Sequence, residues 1–114
     1  MYGSSIHGAV REFFVLLDTD EQFCNLPIPL IAKRLRISVP HLQHMVKRDA
    51  GMSCTTVIRA RRVNRATVLL LRFPEKSITE IAFLCNYEPQ TMYRHFLAVL
   101  GKTPSELRRC NDCV

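Results

Sequence analysis

The chain has 114 residues, of which 47% are hydrophobic, and 16 basic against 10 acidic residues give it a net charge of +6. This length suits one domain, the hydrophobic content excludes wholesale disorder, and the lack of an apolar run of about 18 residues excludes a transmembrane helix. The five cysteines are odd in number and scattered, which favours the reducing cytoplasm over a disulfide framework. The start of the chain has no basic flank leading into an apolar segment, so we expect a cytoplasmic protein without a signal peptide and without membrane association.

The first half of the chain predicts three helices. One apolar stripe at helical spacing marks the first helix: Ile6, Val10, Phe13 and Leu17. Prolines at 27 and 29 open a short second helix that runs to about Leu35. Ser38 is a suitable N-cap for the third helix, and Gly51 is a suitable left-handed stop.

The second half predicts four more helices. Ser53 opens a long one that ends near Arg72, before Phe73-Pro74. Two capping boxes open the fifth and seventh helices, Ser77-Ile78-Thr79-Glu80 and Thr103-Pro104-Ser105-Glu106. Glu88-Pro89 starts the sixth helix, which stops at Gly101. No segment alternates as a half-buried strand does, so the sequence predicts an all-α fold of about seven helices.

An internal repeat at an offset of fifty residues relates the two halves. Ile31, Ala32 and Gly51 coincide without a gap with Ile81, Ala82 and Gly101. Conservative pairs lie between and beside them: Ile28/Ile78, Ile37/Tyr87, Leu42/Met92, Val46/Phe96 and Ser53/Thr103. Each copy is a short helix, a tight turn and a second helix, which is the helix-turn-helix pattern. We therefore expect a single domain over residues 1–114, with one subdomain at about 6–52, a linker helix at about 53–73 and a second subdomain at about 77–110.

The positive charge is concentrated in the middle of the chain. Residues 26–52 carry five bases against one acid, and residues 53–73 carry five bases and no acid. Residues 1–25 have one base against four acids, and residues 74–114 are balanced. A positive middle favours a polyanion as partner, because each neutralised phosphate releases counterions. A solvated basic face without a partner is the alternative on charge alone.

The second helix of each copy separates into an apolar and a polar face. The apolar faces are Leu42, Met45 and Val46 in the first copy and Met92, Phe96, Val99 and Leu100 in the second. The polar faces are Pro40, Gln43, His44 and Lys47, then Gln90, Thr91 and Arg94. Gln can bond adenine bidentately and Arg can bond guanine, so these faces suit base edges in DNA. An ordinary polar surface on a helical bundle is the alternative.

The long helix has a length that suits two reading helices on one duplex. From residue 54 to 72 it extends roughly 28 Å, and neighbouring major-groove faces on DNA lie about 34 Å apart. Arg61, Arg65 and Arg72 share one side of this helix and can reach phosphates or pair with Glu75 or Glu80.

From about Leu26 to Arg109 the sequence resembles the DNA-binding domain of the AraC/XylS family of bacterial transcription regulators. The stretches that carry the resemblance are Ile31-Ala32-Lys33-Arg34-Leu35, Ser38-Val39-Pro40-His41-Leu42-Gln43-His44-Met45, Lys47-Arg48-Asp49-Ala50-Gly51-Met52-Ser53, Arg62 with Ala66, Ser77-Ile78-Thr79-Glu80-Ile81-Ala82, and Gly101-Lys102-Thr103-Pro104-Ser105-Glu106-Leu107-Arg108. The resemblance implies seven helices and two helix-turn-helix subdomains that bind successive major grooves of an asymmetric promoter site. It also implies a contact with RNA polymerase, usually to activate transcription.

The resemblance places functional roles on particular positions. The base-reading positions of the family fall on Pro40, Gln43 and His44, then on Gln90, Thr91 and Arg94. We expect phosphate contacts from Ser38, Lys47, Arg48, Arg61, Arg62 and Arg65. If the chain is a piece of a longer regulator, an effector-binding and dimerisation domain is missing from it.

The chain departs from the family pattern in three respects. Arg36 and Asn86 stand in the turns where Gly is usual, and Arg tolerates a left-handed backbone poorly, so we expect strain in the first turn. The second turn is one residue shorter than is usual, which predicts a rotated second recognition helix. Leu97-Ala98 replaces a usual Lys, and our hypothesis for Leu97 is a protein contact. Because the net charge beyond residue 73 is zero, we expect the first copy to dominate DNA affinity.

Other chemistry has little support in the sequence. Cys110-Asn111-Asp112-Cys113 could be redox-active or half of a zinc site, but no second ligand pair has matching spacing. His41 and His44 lack a third ligand nearby, and Cys24, Cys54 and Cys85 suit packing. No catalytic arrangement stands out, so we expect neither an enzyme nor a cofactor or metal. Two rival functions stay open: a helix-turn-helix module that contacts proteins without reading DNA, and nonspecific nucleic-acid packaging.

Overall fold

Seven α-helices and one 3₁₀ turn are present in a computed structural model that describes residues 4–112, and the side chains of residues 8–109. The helices are α1 Ser4–Thr19, α2 Ile28–Arg34, α3 Val39–Ala50, α4 Cys54–Arg72, α5 Ile78–Leu84, α6 Pro89–Leu100 and α7 Pro104–Asp112. No strand occurs between residues 4 and 112, which confirms the predicted all-α fold. A 3₁₀ turn at Phe23–Asn25 was not predicted. Within this described part, no helix combines the length and the apolarity that a membrane crossing requires.

The predicted helix caps are formed by short local hydrogen bonds. Ser38 Oγ accepts the His41 N–H at the start of α3, and Ser53 Oγ accepts the Thr56 N–H at the start of α4. In α5, Ser77 and Glu80 bond each other's backbone N–H in a complete capping box. Thr103 and Glu106 do the same at α7. These bonds satisfy N–H groups that have no partner within the helix, and they fix where each helix begins.

The turns of the two helix-turn-helix motifs have the same backbone structure. Arg36 has φ 62° and Asn86 has φ 58°, both left-handed. The N–H of Ile37 bonds the carbonyl of Ala32, and the N–H of Tyr87 bonds the carbonyl of Ala82. Each turn is therefore a Schellman motif that ends the first helix of its pair. Both turns span four residues, so within this chain the second turn equals the first in length.

Two apolar clusters define two compact units, which divide between Arg61 and Arg62. The first cluster contains Phe13, Leu17, Phe23, Ile31, Leu42 and Val46, together with Cys54, Val57 and Ile58 from α4. The second contains Ile81, Ala82, Met92 and Phe96, together with Val63, Ala66 and Leu70 from α4. The helix predicted to be a linker therefore supplies core residues to each unit.

Most predicted core residues are buried, and two are not. Val10, Phe13 and Leu17 of the α1 stripe are buried, whereas the side chain of Ile6 lies outside the described residues. Cys24, Cys54 and Cys85 are buried and unoxidised, as packing residues are. Val99 and Leu100, which the sequence placed on the apolar face of α6, are both exposed. The Cys110–Cys113 motif lies outside the residues whose side chains the structure describes.

Candidate nucleic-acid interface

The exposed face of α3 carries the predicted reading residues of the first motif. Leu42, Met45 and Val46 are almost completely buried and fix the rotation of the helix against its core. On the opposite side, four predicted side chains are exposed: Pro40, Gln43, His44 and Lys47. This arrangement presents an amide, an imidazole and an ammonium group to a ligand outside the protein.

The exposed face of α6 carries two of the three predicted reading residues of the second motif. Met92 and Phe96 are fully buried, and Gln90 and Arg94 are exposed. Thr91 is half-buried, and its Oγ1 accepts a hydrogen bond of 3.3 Å from Arg94 Nη2. Thr91 therefore helps to position the Arg94 guanidinium.

Tyr93 lies on the same exposed face of α6 and was not among the predicted reading residues. The residue is 50% exposed to solvent. The repeat contained the signal that could have identified it, because the offset of fifty residues pairs Tyr93 with Gln43.

An open groove of about 480 Å³ lies beside these residues in the second unit. It is bordered by the first residues of α5, α6 and α7, and its lining consists of Ile78, Pro89, Gln90, Tyr93, Arg94, Thr103, Pro104 and Ser105. Gln90, Tyr93 and Arg94 thus border one concave surface.

The residues predicted to contact phosphate around α3 have partly local roles. Lys47 is exposed. Arg48 Nε lies 3.2 Å from Asp49 Oδ1 in a solvent-exposed ion pair, which is weak and exchangeable. Ser38 Oγ accepts the cap hydrogen bond from His41, and its O–H can still donate to a phosphate oxygen.

The α4 arginines differ in what they contact. Arg61 forms an ion pair with Asp18 of α1, and Arg65 is half-buried. The guanidinium of Arg62 stacks 4.0 Å from the centroid of the Tyr87 ring and donates to the Asn86 carbonyl at 3.2 Å. The guanidinium of Arg62 therefore supports the turn before α6 within the second unit, and the phosphate contact expected of Arg62 stays a prediction.

Charge distinguishes the two motifs. Residues 28–51 contain five bases and one acid, whereas residues 78–101 contain one base and two acids. An electrostatic attraction to phosphates is therefore concentrated at the first motif. Among the described residues, no group of three or more His, Cys, Asp and Glu side chains is placed to hold a metal ion.

Two helix-turn-helix motifs with exposed polar second helices define a class of DNA-binding domain, and comparisons with known proteins identify the family. The family model for a helix-turn-helix domain matches residues 31–110. The chain belongs to this family, in its AraC-type form, and it is a DNA-binding domain of a transcription regulator. This family is one of regulators and not of enzymes.

Individual known proteins are also similar to this chain. The chain is 36% identical over 70 residues to the transposon Tn10 TetD protein of Escherichia coli, and it spans 50% of that protein's length. It superposes with a TM-score of 0.80 and 26% identity on the C-terminal domain of AraT, a response regulator from Geobacillus stearothermophilus, covering 90% of this chain and 84% of that one. A protein of unknown function from Listeria innocua gives a TM-score of 0.72 at 26% identity, covering 84% and 92% of the two chains.

Proposed function

We propose that this domain is a sequence-specific transcription activator that places α3 and α6 in major-groove segments of an asymmetric promoter site. The observation that carries the proposal is the pair of exposed polar faces, each on a helix whose other side is locked in a core. Pro40, Gln43 and His44 read the first segment, and Gln90, Thr91 and Arg94 read the second, with Thr91 acting through its bond to Arg94. Phosphates are contacted by Ser38, Lys47, Arg48, Arg61 and Arg65, with Arg48 and Arg61 exchanging their carboxylate partners for phosphate.

Selection of bound sequences from a random duplex pool, at two salt concentrations, tests this function. We expect an asymmetric motif with two blocks, because two different sets of side chains read it. Binding should weaken steeply with salt, since phosphate contacts release counterions. A single block would show that only one motif reads bases. A lack of enrichment at either salt concentration would contradict sequence-specific regulation by this domain. A salt slope without enrichment would indicate nucleic-acid packaging.

A protein contact on the second motif is the second element of the proposal. Phe83 and Leu84 at the end of α5 are 68% and 57% exposed, and Leu97 of α6 is 42% exposed. The equivalent residues of the first motif are Lys33, Arg34 and Lys47. Exposed apolar side chains at positions where the other copy is basic favour a protein partner over phosphate. We propose RNA polymerase as this partner, through a surface that includes Leu97.

The same apolar residues support the rival function, a module that contacts proteins without reading DNA. Leu97→Glu tests whether a protein partner binds this surface, because burial of a carboxylate in an apolar contact is unfavourable. Unchanged binding of RNA polymerase by Leu97→Glu would remove Leu97 from the contact.

A further inference from the structure

The two recognition helices correspond residue by residue. Both have twelve residues, both follow a Schellman turn, and both end at a left-handed glycine, Gly51 with φ 74° and Gly101 with φ 70°. The N–H of each glycine bonds the carbonyl four residues earlier, at Lys47 and at Leu97. The offset of fifty therefore holds in the backbone, and a position on α3 has a definite equivalent on α6.

Exposure divides the two helices in the same way. Pro40, Gln43 and His44 are exposed on α3, and their equivalents Gln90, Tyr93 and Arg94 are exposed on α6. His41 and its equivalent Thr91 are both half-buried. By this correspondence Tyr93 occupies on α6 the place that the reading residue Gln43 occupies on α3.

The surroundings of Tyr93 indicate a ligand outside the protein. The residue is half exposed although burial would stabilise its aromatic ring, and it borders the same groove as Gln90 and Arg94. Residues at i, i+3 and i+4 share one helix face, so a duplex that meets Gln90 and Arg94 also meets Tyr93.

We infer that Tyr93 is a further specificity-determining residue of α6, and that its ring contacts the 5-methyl group of a thymine in the second block of the site. The inference rests on the proposed DNA-reading function. Major-groove edges offer few apolar groups, and the thymine methyl is the one that an apolar side chain recognises. Gln43 on α3 can form hydrogen bonds with a base edge, whereas the aromatic ring at the equivalent position on α6 favours an apolar contact with the base.

Replacement of thymine by uracil tests the inference, because it removes only the methyl group. With the site obtained by selection, each thymine of the second block is replaced in turn, and binding is measured for the wild type, Tyr93→Phe and Tyr93→Gln. For the wild type we expect one position at which uracil weakens binding about fourfold, the value for one buried methyl group. Tyr93→Phe keeps this sensitivity, since it keeps the ring. Tyr93→Gln loses this sensitivity to uracil. The variant places at an exposed position the residue that the first copy has there, glutamine.

The controls separate this inference from the proposed function. Uracil in the first block gives the same ratio for all three proteins, because Tyr93 does not reach it. Uracil sensitivity that persists in Tyr93→Gln, or that is absent from the whole second block in the wild type, overturns the role of Tyr93 while leaving DNA reading intact. A wild-type selection without any second block overturns both. Equal weakening of cognate and random DNA by Tyr93→Gln would assign the ring to the sugar-phosphate backbone and also overturn the inference.

Discussion

Arg36 has a left-handed backbone at φ 62°, a conformation in which its β-carbon approaches the following carbonyl oxygen. This conformation destabilises the folded state by roughly 1–2 kcal/mol for a residue other than glycine. Glycine avoids that strain, but the greater freedom of its unfolded chain lowers the free energy of unfolding by about 0.5–1 kcal/mol. Arg36→Gly should therefore raise the free energy of unfolding by about 0.5–1 kcal/mol, measured by urea denaturation.

Asn86→Gly is the matched control for this prediction. Asn86 has φ 58° in the equivalent turn, but asparagine tolerates the left-handed region better than arginine. The gain should be smaller than for Arg36→Gly. A loss of stability in Arg36→Gly would show that the arginine side chain contributes more than its backbone strain costs.

Gln43, Arg94 and Lys47 differ in what their removal should do to DNA binding. Gln43→Ala or Arg94→Ala should cost about 1–3 kcal/mol at the cognate site and relax the preference at one base pair, since each removes a base-edge contact. Lys47→Ala should weaken all sequences about equally, since phosphates are the same everywhere. Titration of cognate and random duplexes checks this difference. An equal loss on both duplexes for Arg94→Ala would contradict its reading role.

At the scale of the element, the capping boxes make α5 and α7 sensitive to acid. Hydrogen bonds from the backbone N–H of Ser77 and of Thr103 lower the pKa of Glu80 and of Glu106 from the ordinary value of 4.5. A lowered pKa in the folded state stabilises the fold above the unfolded value and loses that contribution as pH falls through the folded pKa. The free energy of unfolding should therefore fall with acidification below about 4.5.

The double variant Glu80→Gln, Glu106→Gln isolates this contribution. Glutamine can keep the hydrogen bond of the box but does not titrate. Its stability should depend less steeply on pH below 4.5 than that of the wild type, followed by thermal unfolding at a series of pH values. Identical slopes for the two proteins would place the acid sensitivity on other carboxylates.

Arg108 of α7 caps the C-terminal end of α4. Its guanidinium donates to the carbonyl oxygens of Leu70, Phe73 and Lys76 at 2.7–3.3 Å. These include carbonyls that have no helical partner, and a charge-assisted hydrogen bond contributes about 1.5–3 kcal/mol. Arg108→Lys should therefore destabilise the protein by about that amount, because an ammonium cannot span the three acceptors. Arg109 is an exposed neighbour, so Arg109→Lys should change stability little. Equal effects of the two variants in chemical denaturation would contradict the capping of α4 by Arg108.

The elements could be predicted from the sequence where their causes are local, and not where packing decides. Ser38, Ser77 and Thr103 act on residues three positions away, so their helix starts were predictable. The stacking of Arg62 on Tyr87 was not predictable, because Tyr87 is far along the chain and reaches Arg62 only in the folded unit. The exposure of Val99 and Leu100 was not predictable, because helical spacing predicts a face but not how far a core extends along it. The second core reaches Phe96 on α6 and does not include the last turn.

For the whole molecule, the repeat provides one scaffold with two different surfaces. The first motif combines a net positive charge with polar reading residues, and the second combines apolar exposed residues with a single base, Arg94. A chain with this asymmetry can bind DNA mainly through one motif and reserve part of the other for a protein. The exposed polar faces of α3 and α6 were predictable from the helical spacing, whereas the exposure of Phe83 and Leu84 became evident only in the folded structure.

Leu97→Lys tests this division of roles, because it gives the second motif the residue that the first motif has at Lys47. An added phosphate contact should raise DNA affinity at low salt and steepen the slope of log K against log salt by about 0.9. The reverse change, Lys47→Leu, should make the slope shallower by about the same amount. If Leu97 contacts RNA polymerase, Leu97→Lys should at the same time reduce activated transcription in vitro, although more protein is bound to the promoter. Activation that rises together with DNA affinity would contradict the protein contact, since Leu97 would then be only a position where a phosphate contact is missing.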